Sequence, residues 1–140
     1  MPHQVPAPVL ERIRATLERG PPLRFAILFG SQARGTARPD SDFDIAIAPA
    51  RALTLAEENA LAMELERTLG AAVDLVDVAA ARPALRWRIA RDGIVLSSSP
   101  TTAAARFLAQ SGIEHDELAE LERDAMRRFR ARLAAPGGGR

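Results

Sequence analysis

The chain has 140 residues, 19 of them basic and 18 acidic, with a net charge of +1, no cysteine and an apolar content of 47%. That length suits one domain with a real core, and the near-neutral charge does not by itself call for nucleic acid. Without cysteine, neither a disulfide framework nor a thiolate metal site can form. Every basic residue is arginine, so no lysine can act as a Schiff-base nucleophile or P-loop cation, and phosphate contacts fall to Arg or backbone N–H groups. No run of about 18 apolar residues and no secretory h-region occurs. A cytoplasmic protein without a membrane partner is expected. His3 and His115 stand far from the other candidate residues and are expected as isolated, exposed side chains. Any metal must then be a hard, oxygen-bound ion such as Mg²⁺ or Mn²⁺.

Along the chain, Pro6 and Pro8 precede Val9, Leu10, Ile13 and Leu17 at helical spacing, and Gly20-Pro21-Pro22 ends that pattern. Arg24 to Phe29 is an apolar run of strand length, and Gly30 to Pro39, small and Arg-rich, reads as a loop or one short helical turn. Asp42 to Ala48 alternates, with Asp42, Asp44 and Ala46 on one side and Phe43, Ile45 and Ile47 on the other, as in a half-buried strand. Thr54 and Glu57 form a capping box for a helix through Leu55, Leu61, Leu65 and Leu69, closed by Gly70. Ala72 to Val78 predicts a third strand, with Asp74, Val76 and Val78 on one face. Pro83 opens a short helix through Leu85, Trp87 and Ile89. Asp92-Gly93 turns into a fourth strand at Ile94-Val95-Leu96, and Ser97 to Pro100 is a polar break. Residues 102–111 and 114–134 predict two helices, and Pro136 to Arg140 a frayed tail. The order is that of a small α/β domain over residues 1–100 with a two-helix extension over 101–140.

The segment from Phe29 to Ile47, FGSQARGTARPDSDFDIAI, concentrates the chemistry. Residues i and i+2 of a strand share a face about 6.5–7 Å apart. Asp42 and Asp44 can therefore close on one divalent ion, or bridge two ions about 3.5–4 Å apart. The alternative is a solvated edge strand with two acids, but the pair opens the strand, where sites usually sit. Gly30 lets phosphate oxygens approach the backbone, and Ser31 offers its hydroxyl and N–H. Arg34 and Arg38 are the nearby cations. A Gly-Ser turn alone is an ordinary strand exit; its fixed short distance to Asp-x-Asp makes it a signal. Asp74 lies between Val73 and Leu75 and needs a partner if buried. It can join Asp42 and Asp44 to ligate metal or take a proton from an attacking hydroxyl, or form a cross-strand salt bridge to an Arg. Asp77 faces the other way and is expected in solvent.

These residues resemble the signature of the DNA polymerase β superfamily of nucleotidyltransferases: Gly-Ser, a spacer, Asp-x-Asp, and a third carboxylate on a later strand. Gly30, Ser31, Asp42, Asp44 and Asp74 match it. The short spacer, the GSQARG wording and the small size are most similar to the minimal nucleotidyltransferases, and among them to the MntA-type antitoxins of HEPN–MNT toxin–antitoxin pairs. The resemblance covers roughly residues 8–97 and implies a mixed sheet of about four strands flanked by helices. It further implies ATP on the Gly30-Ser31 turn, two Mg²⁺ ions on Asp42 and Asp44 with Asp74 shared, and attack of an acceptor hydroxyl on the α-phosphate. The implied acceptor is a tyrosine of a cognate HEPN RNase toxin in a hetero-oligomer. Two other readings stand beside it. One is a small-molecule nucleotidyltransferase of the aminoglycoside-modifying kind, disfavoured because such enzymes carry a larger second domain. The other is a non-catalytic antitoxin acting by contact.

Residues 114–124 hold six acids and one Arg, whereas 127–140 hold five Arg and no acid. That division suits the helix macrodipole better than an RNA-binding stripe, since little aromatic interleaving is present to stack bases. Direct nucleic-acid binding is not expected. Leu118, Leu121, Ala125, Phe129 and Leu133 form an apolar stripe that either packs on the domain's own core or meets a partner helix.

Overall fold

Pro6 and Pro8 fix φ near its helical value and sit where a helix needs no N–H donor, so they start rather than interrupt α1, Ala7–Glu18. The computed structural model describes residues 5–134; His3 and the tail from Pro136 to Arg140 lie outside them. The elements that follow are β1 (Leu23–Phe29), α2 (Gly30–Arg34), β2 (Phe43–Pro49), α3 (Leu55–Leu69), β3 (Val73–Asp77), a 3₁₀ turn at Val78–Ala80, α4 (Pro83–Asp92), β4 (Ile94–Ser98) and α5 (Thr102–Ala134). Among the described residues, no helix is long and apolar enough to cross a membrane.

The four strands form one mixed sheet in the order β3-β2-β1-β4. β1 runs antiparallel to both β2 and β4, while β2 and β3 are parallel. A parallel pair needs a long crossover, and α3 supplies it. Its capping box is complete: the Glu57 N–H donates to Thr54 Oγ1 at 3.1 Å, and the Thr54 N–H donates to Glu57 Oε1 at 3.0 Å. Gly70 ends the helix at φ +64°, a left-handed conformation that glycine takes without steric cost.

Helices cover both sheet faces, which explains why central β1 is apolar without alternation. On one face Ile13 and Leu17 of α1 and Leu61 and Leu65 of α3 pack over Ala26, Leu28, Ile45, Ile47 and Leu96. On the other, Ile89 of α4 and Ala103 and Ala104 of α5 pack over Phe25, Ile27, Phe29, Ala46 and Ala48. The hydroxyls of Thr16 and Thr68, 2.8 Å apart, join α1 to α3. Among the described residues, no buried side-chain polar atom lacks a partner. Leu55, read as part of the α3 stripe, is 72% exposed; it is the first helical residue, one turn short of the sheet.

The C-terminal region corrects one expectation. Instead of two helices, α5 is one helix of 33 residues. The expected break falls at Gly112-Ile113, yet an interior glycine costs only about 1 kcal/mol, and no proline lies between Thr102 and Ala134. Ser111 is buried in the α5 interface, which carries the helix through. His115 is also not isolated: its ring stacks on Trp87, centroids 4.0 Å apart, and ties α5 to α4.

Candidate active site

β1 ends at Phe29, and the chain turns at once through Gly30 into α2. Gly30 has φ +74° and is buried. A Cβ there would lie 2.2 Å from Asp44 Oδ2, well inside contact distance. The glycine is thus required twice, by its backbone angle and by the carboxylate against it. Thr36 N–H donates to Ser31 O at 3.0 Å, and Gly35 closes α2 at φ +76°. The loop back to β2 is pinned by Ser41, whose Oγ accepts the Arg38 N–H at 2.7 Å and whose carbonyl accepts Gln32 Nε2 at 3.2 Å.

In the ladders, Asp44 stands opposite Phe29 on one side and opposite Asp74 on the other. Directly opposed residues share a sheet face, so Asp44 and Asp74 project together toward the α4 side, while Val73 and Leu75 pack toward α1 and α3. Asp42, two residues before Asp44, lies just ahead of β2, although the sequence alternation starts the strand at this residue. Asp44 is half-buried; Asp42 and Asp74 are exposed at its mouth. Burial raises the Asp44 carboxyl above its ordinary value, and the negative charges of Asp74 and Asp42 raise it further, while Arg88 and Arg34 pull it down. The other two predicted carboxylates, Asp74 and Asp42, thus both act on Asp44.

As the side chains stand, no three His, Asp or Glu residues among those described close on one ion. The donor set nonetheless suits a hard divalent cation. It is all oxygen, it carries mutual repulsion that a cation would cancel, and its innermost member is the one destabilised as an anion. Asp77 is on the opposite face as expected, where its carboxylate accepts the Ala79 N–H at 2.9 Å and caps the 3₁₀ turn.

The cations divide. Arg34 reaches Asp92 at 3.3 Å and acts on Asp44 from one side. Asp92 is held below the usual carboxylate range by its hydrogen bonds from Arg91, with Arg34 adding to the effect. Arg38 is fixed through its backbone N–H, and its guanidinium forms no ion pair among the described residues. Arg88, absent from the sequence-derived set, acts on Asp44 from α4. Four arginines flank or lie in that helix, at 82, 86, 88 and 91. Helical periodicity alone does not say which of them faces the sheet's carboxylates.

The chain as a whole is similar to known proteins. The family profile described as "Polymerase beta, Nucleotidyltransferase" matches residues 11–102. A toxin–antitoxin structure solved with AMP-PNP is 29% identical, with a TM-score of 0.70 over 86% of this chain and 96% of that one. A Shewanella oneidensis complex of a tri-AMPylated HEPN toxin with its MNT antitoxin matches at 25% identity, TM-score 0.65, over 86% of this chain and 94% of that one. A structure described as a minimal nucleotidyltransferase is 36% identical, with a TM-score of 0.53 over 61% of this chain and 86% of that one. Among curated proteins, none matches significantly.

Proposed function

We propose that this chain, which belongs to the polymerase β nucleotidyltransferase family, moves AMP from ATP onto a tyrosine hydroxyl of a cognate HEPN-domain RNase toxin and thereby acts as an antitoxin. The chain is a nucleotidyltransferase. The acceptor and the donor base are inferred from relatives solved with AMP-PNP and with an AMPylated HEPN toxin. The observation that carries the reading is the Asp44–Asp74 pairing beside the Gly30 turn. It brings carboxylates from two separate segments, Asp44 with nearby Asp42 and Asp74, beside a backbone bend that can admit phosphate.

In this reading Gly30 and Ser31 receive the triphosphate. Arg34 and Arg88 offset its charge, with Arg38 available from the loop. Asp42, Asp44 and Asp74 would hold two Mg²⁺ ions, or Mn²⁺, which when bound neutralise charge on the attacking and leaving oxygens. The acceptor oxygen forms a bond to the α-phosphorus as the bond to pyrophosphate breaks. Asp74, the most exposed of the pair it forms with Asp44, takes the acceptor's proton. The enzyme acts in the cytoplasm as a hetero-oligomer with the toxin. Residues 1–100 are its catalytic domain, and 101–140 an extension whose first turns complete the same core.

The test is incubation of the full chain with labelled ATP, Mg²⁺ and co-expressed HEPN toxin. Label on a toxin tyrosine, abolished by Asp42→Asn or Asp44→Asn, is expected. A toxin that stays unlabelled while the wild-type chain still silences it would replace catalysis by contact.

A further inference from the structure

α5 covers the sheet only with its first half. Beyond His115 its large apolar side chains are left largely in solvent, with Leu118 and Leu121 only bordering α4: Leu118, Leu121, Met126, Phe129 and Leu133 are 42%, 65%, 49%, 55% and 72% exposed. Sixteen residues of helix span about 22 Å, a contiguous apolar strip of the kind a soluble protein keeps for a partner. We propose that this strip of α5, from Leu118 to Leu133, is the docking surface for the acceptor protein, which presents to it an α-helical apolar face whose rim is acidic only at the end that meets residues 127–132, the first half of the strip being itself acidic. The proposal rests on the protein-acceptor reading above.

Three features select that occupant. The strip is too long for a nucleotide or a small acceptor, and it has the width and period that a helix fills. It also runs without interruption into a cavity of about 320 Å³ lined by Pro83, Trp87, Leu118 and Arg88. Arg88 is the α4 residue whose charge bears on Asp44, so a protein laid along α5 is led to the reacting end of the sheet. The charge around the strip's far end is positive. Arg127 and Arg128 share one carboxylate, Asp124, at 3.0 and 2.7 Å. Arg130 and Arg132 have no carboxylate partner among the described residues. An acidic rim on the partner satisfies them and speeds encounter.

Docking remote from the reacting atoms also serves catalysis, because binding energy gained there positions the hydroxyl. The consequence is a particular kinetic split, in which strip substitutions raise the KM for the protein acceptor and leave ATP binding alone.

The experiment uses the full chain carrying Leu121→Glu and Phe129→Glu, with a co-expressed HEPN toxin as the probe. Both positions are exposed, and unchanged Mg²⁺–ATP affinity reports an intact fold. The expected result is at least a 10-fold loss in affinity for the toxin and a matching rise in its KM, with kcat retained at saturation. A second variant, Arg130→Glu with Arg132→Glu, is expected to slow association several-fold at low salt and little at high salt. Wild-type toxin affinity and KM in both variants would overturn the docking proposal while leaving AMP transfer intact. Conversely, a toxin complex that the strip variant breaks, with no label ever transferred by the wild type, keeps the docking surface and removes the transfer reading. Free chain that sedimentation shows to be a dimer, dissolved by the strip variant with toxin binding unchanged, would assign the strip to self-association and overturn the proposal.

Discussion

The two ends of the molecule are built on opposite terms. At the carboxylate end, Gly30, Phe29 and Asp44 are locked by sheet register and by a contact that leaves no room for one methyl group. At the far end of α5, large apolar side chains stand in solvent and the ion pairs are local, within one turn. The first end is determined by the chain's own packing. The second is left uncovered by the chain's own packing. Substitutions at the first should therefore change chemistry or folding, and substitutions at the second should change neither in the isolated chain.

The largest effect falls on chemistry. Asp42→Asn with Asp44→Asn should lower AMP transfer by about 10³-fold or more, since charge neutralisation at the transferring phosphoryl group supplies most of the rate; a radiolabel transfer assay checks it. The same change should not destabilise the fold. The Asp44 carboxyl is raised above 3.8 by burial and by Asp74 and Asp42. The folded state therefore holds that proton more tightly than the unfolded chain does. Stability falls as pH rises from 3.8 through the raised value, and the penalty persists above it. At neutral pH without metal, Asp44→Asn should therefore melt at or above the wild-type Tm. Mg²⁺ should raise the Tm of the wild type and leave that of the variant unmoved.

Next come the packing tests. Ile47→Ala, at a position fully buried beneath α1 and α3, should cost about 2–5 kcal/mol in a urea titration. Gly30→Ala should cost about 1–3 kcal/mol from the left-handed φ alone. It should also lose transfer activity out of proportion to that, because the new methyl displaces Asp44. A smaller effect belongs to the α3 cap. Arg51 and the Thr54 cap draw Glu57 down to about 2. Its contribution is present above about 4.5, the unfolded value, and is lost as pH falls toward 2, so Glu57→Gln should flatten acid unfolding in that window. The smallest is Phe129→Ala, 55% exposed, which should leave stability within about 0.5 kcal/mol. A larger loss would show that α5 folds back on the domain and would erase the contrast between the two ends.

Much of this could be read before any coordinates. The α3 capping box, the Gly70 stop and the short spacing of Gly30-Ser31 to Asp42 and Asp44 are local, and local rules decide them. The strand at β2 was also local, but not its burial: instead of a half-buried alternation, Ile45, Ala46, Ile47 and Ala48 are all buried, because helices cover both faces of the sheet. Asp74 was a candidate because a carboxylate between Val73 and Leu75 needs a reason. Its place beside Asp44 depends on a parallel register that a 15-residue helix sets at a distance. Arg88 was not legible, because α4 presents several arginines and the sheet chooses among them. The single span of α5 was missed for a related reason. Gly112 is a weak breaker by propensity, and burial of the adjacent Ser111 overrides it. The Trp87–His115 stack joins residues 28 positions apart in sequence, which neither neighbourhood announces.

β3 is one of the two edge strands of the sheet, five residues long and hydrogen-bonded to it along one side. Peeling an edge strand costs less than melting the whole domain. Asp74 travels with it, so catalytic competence should disappear in mild denaturant while the central strands β1 and β2 remain protected from hydrogen exchange. The enzyme would then go silent before it unfolds, and the proportion of active molecules would report on one frayed margin of the sheet.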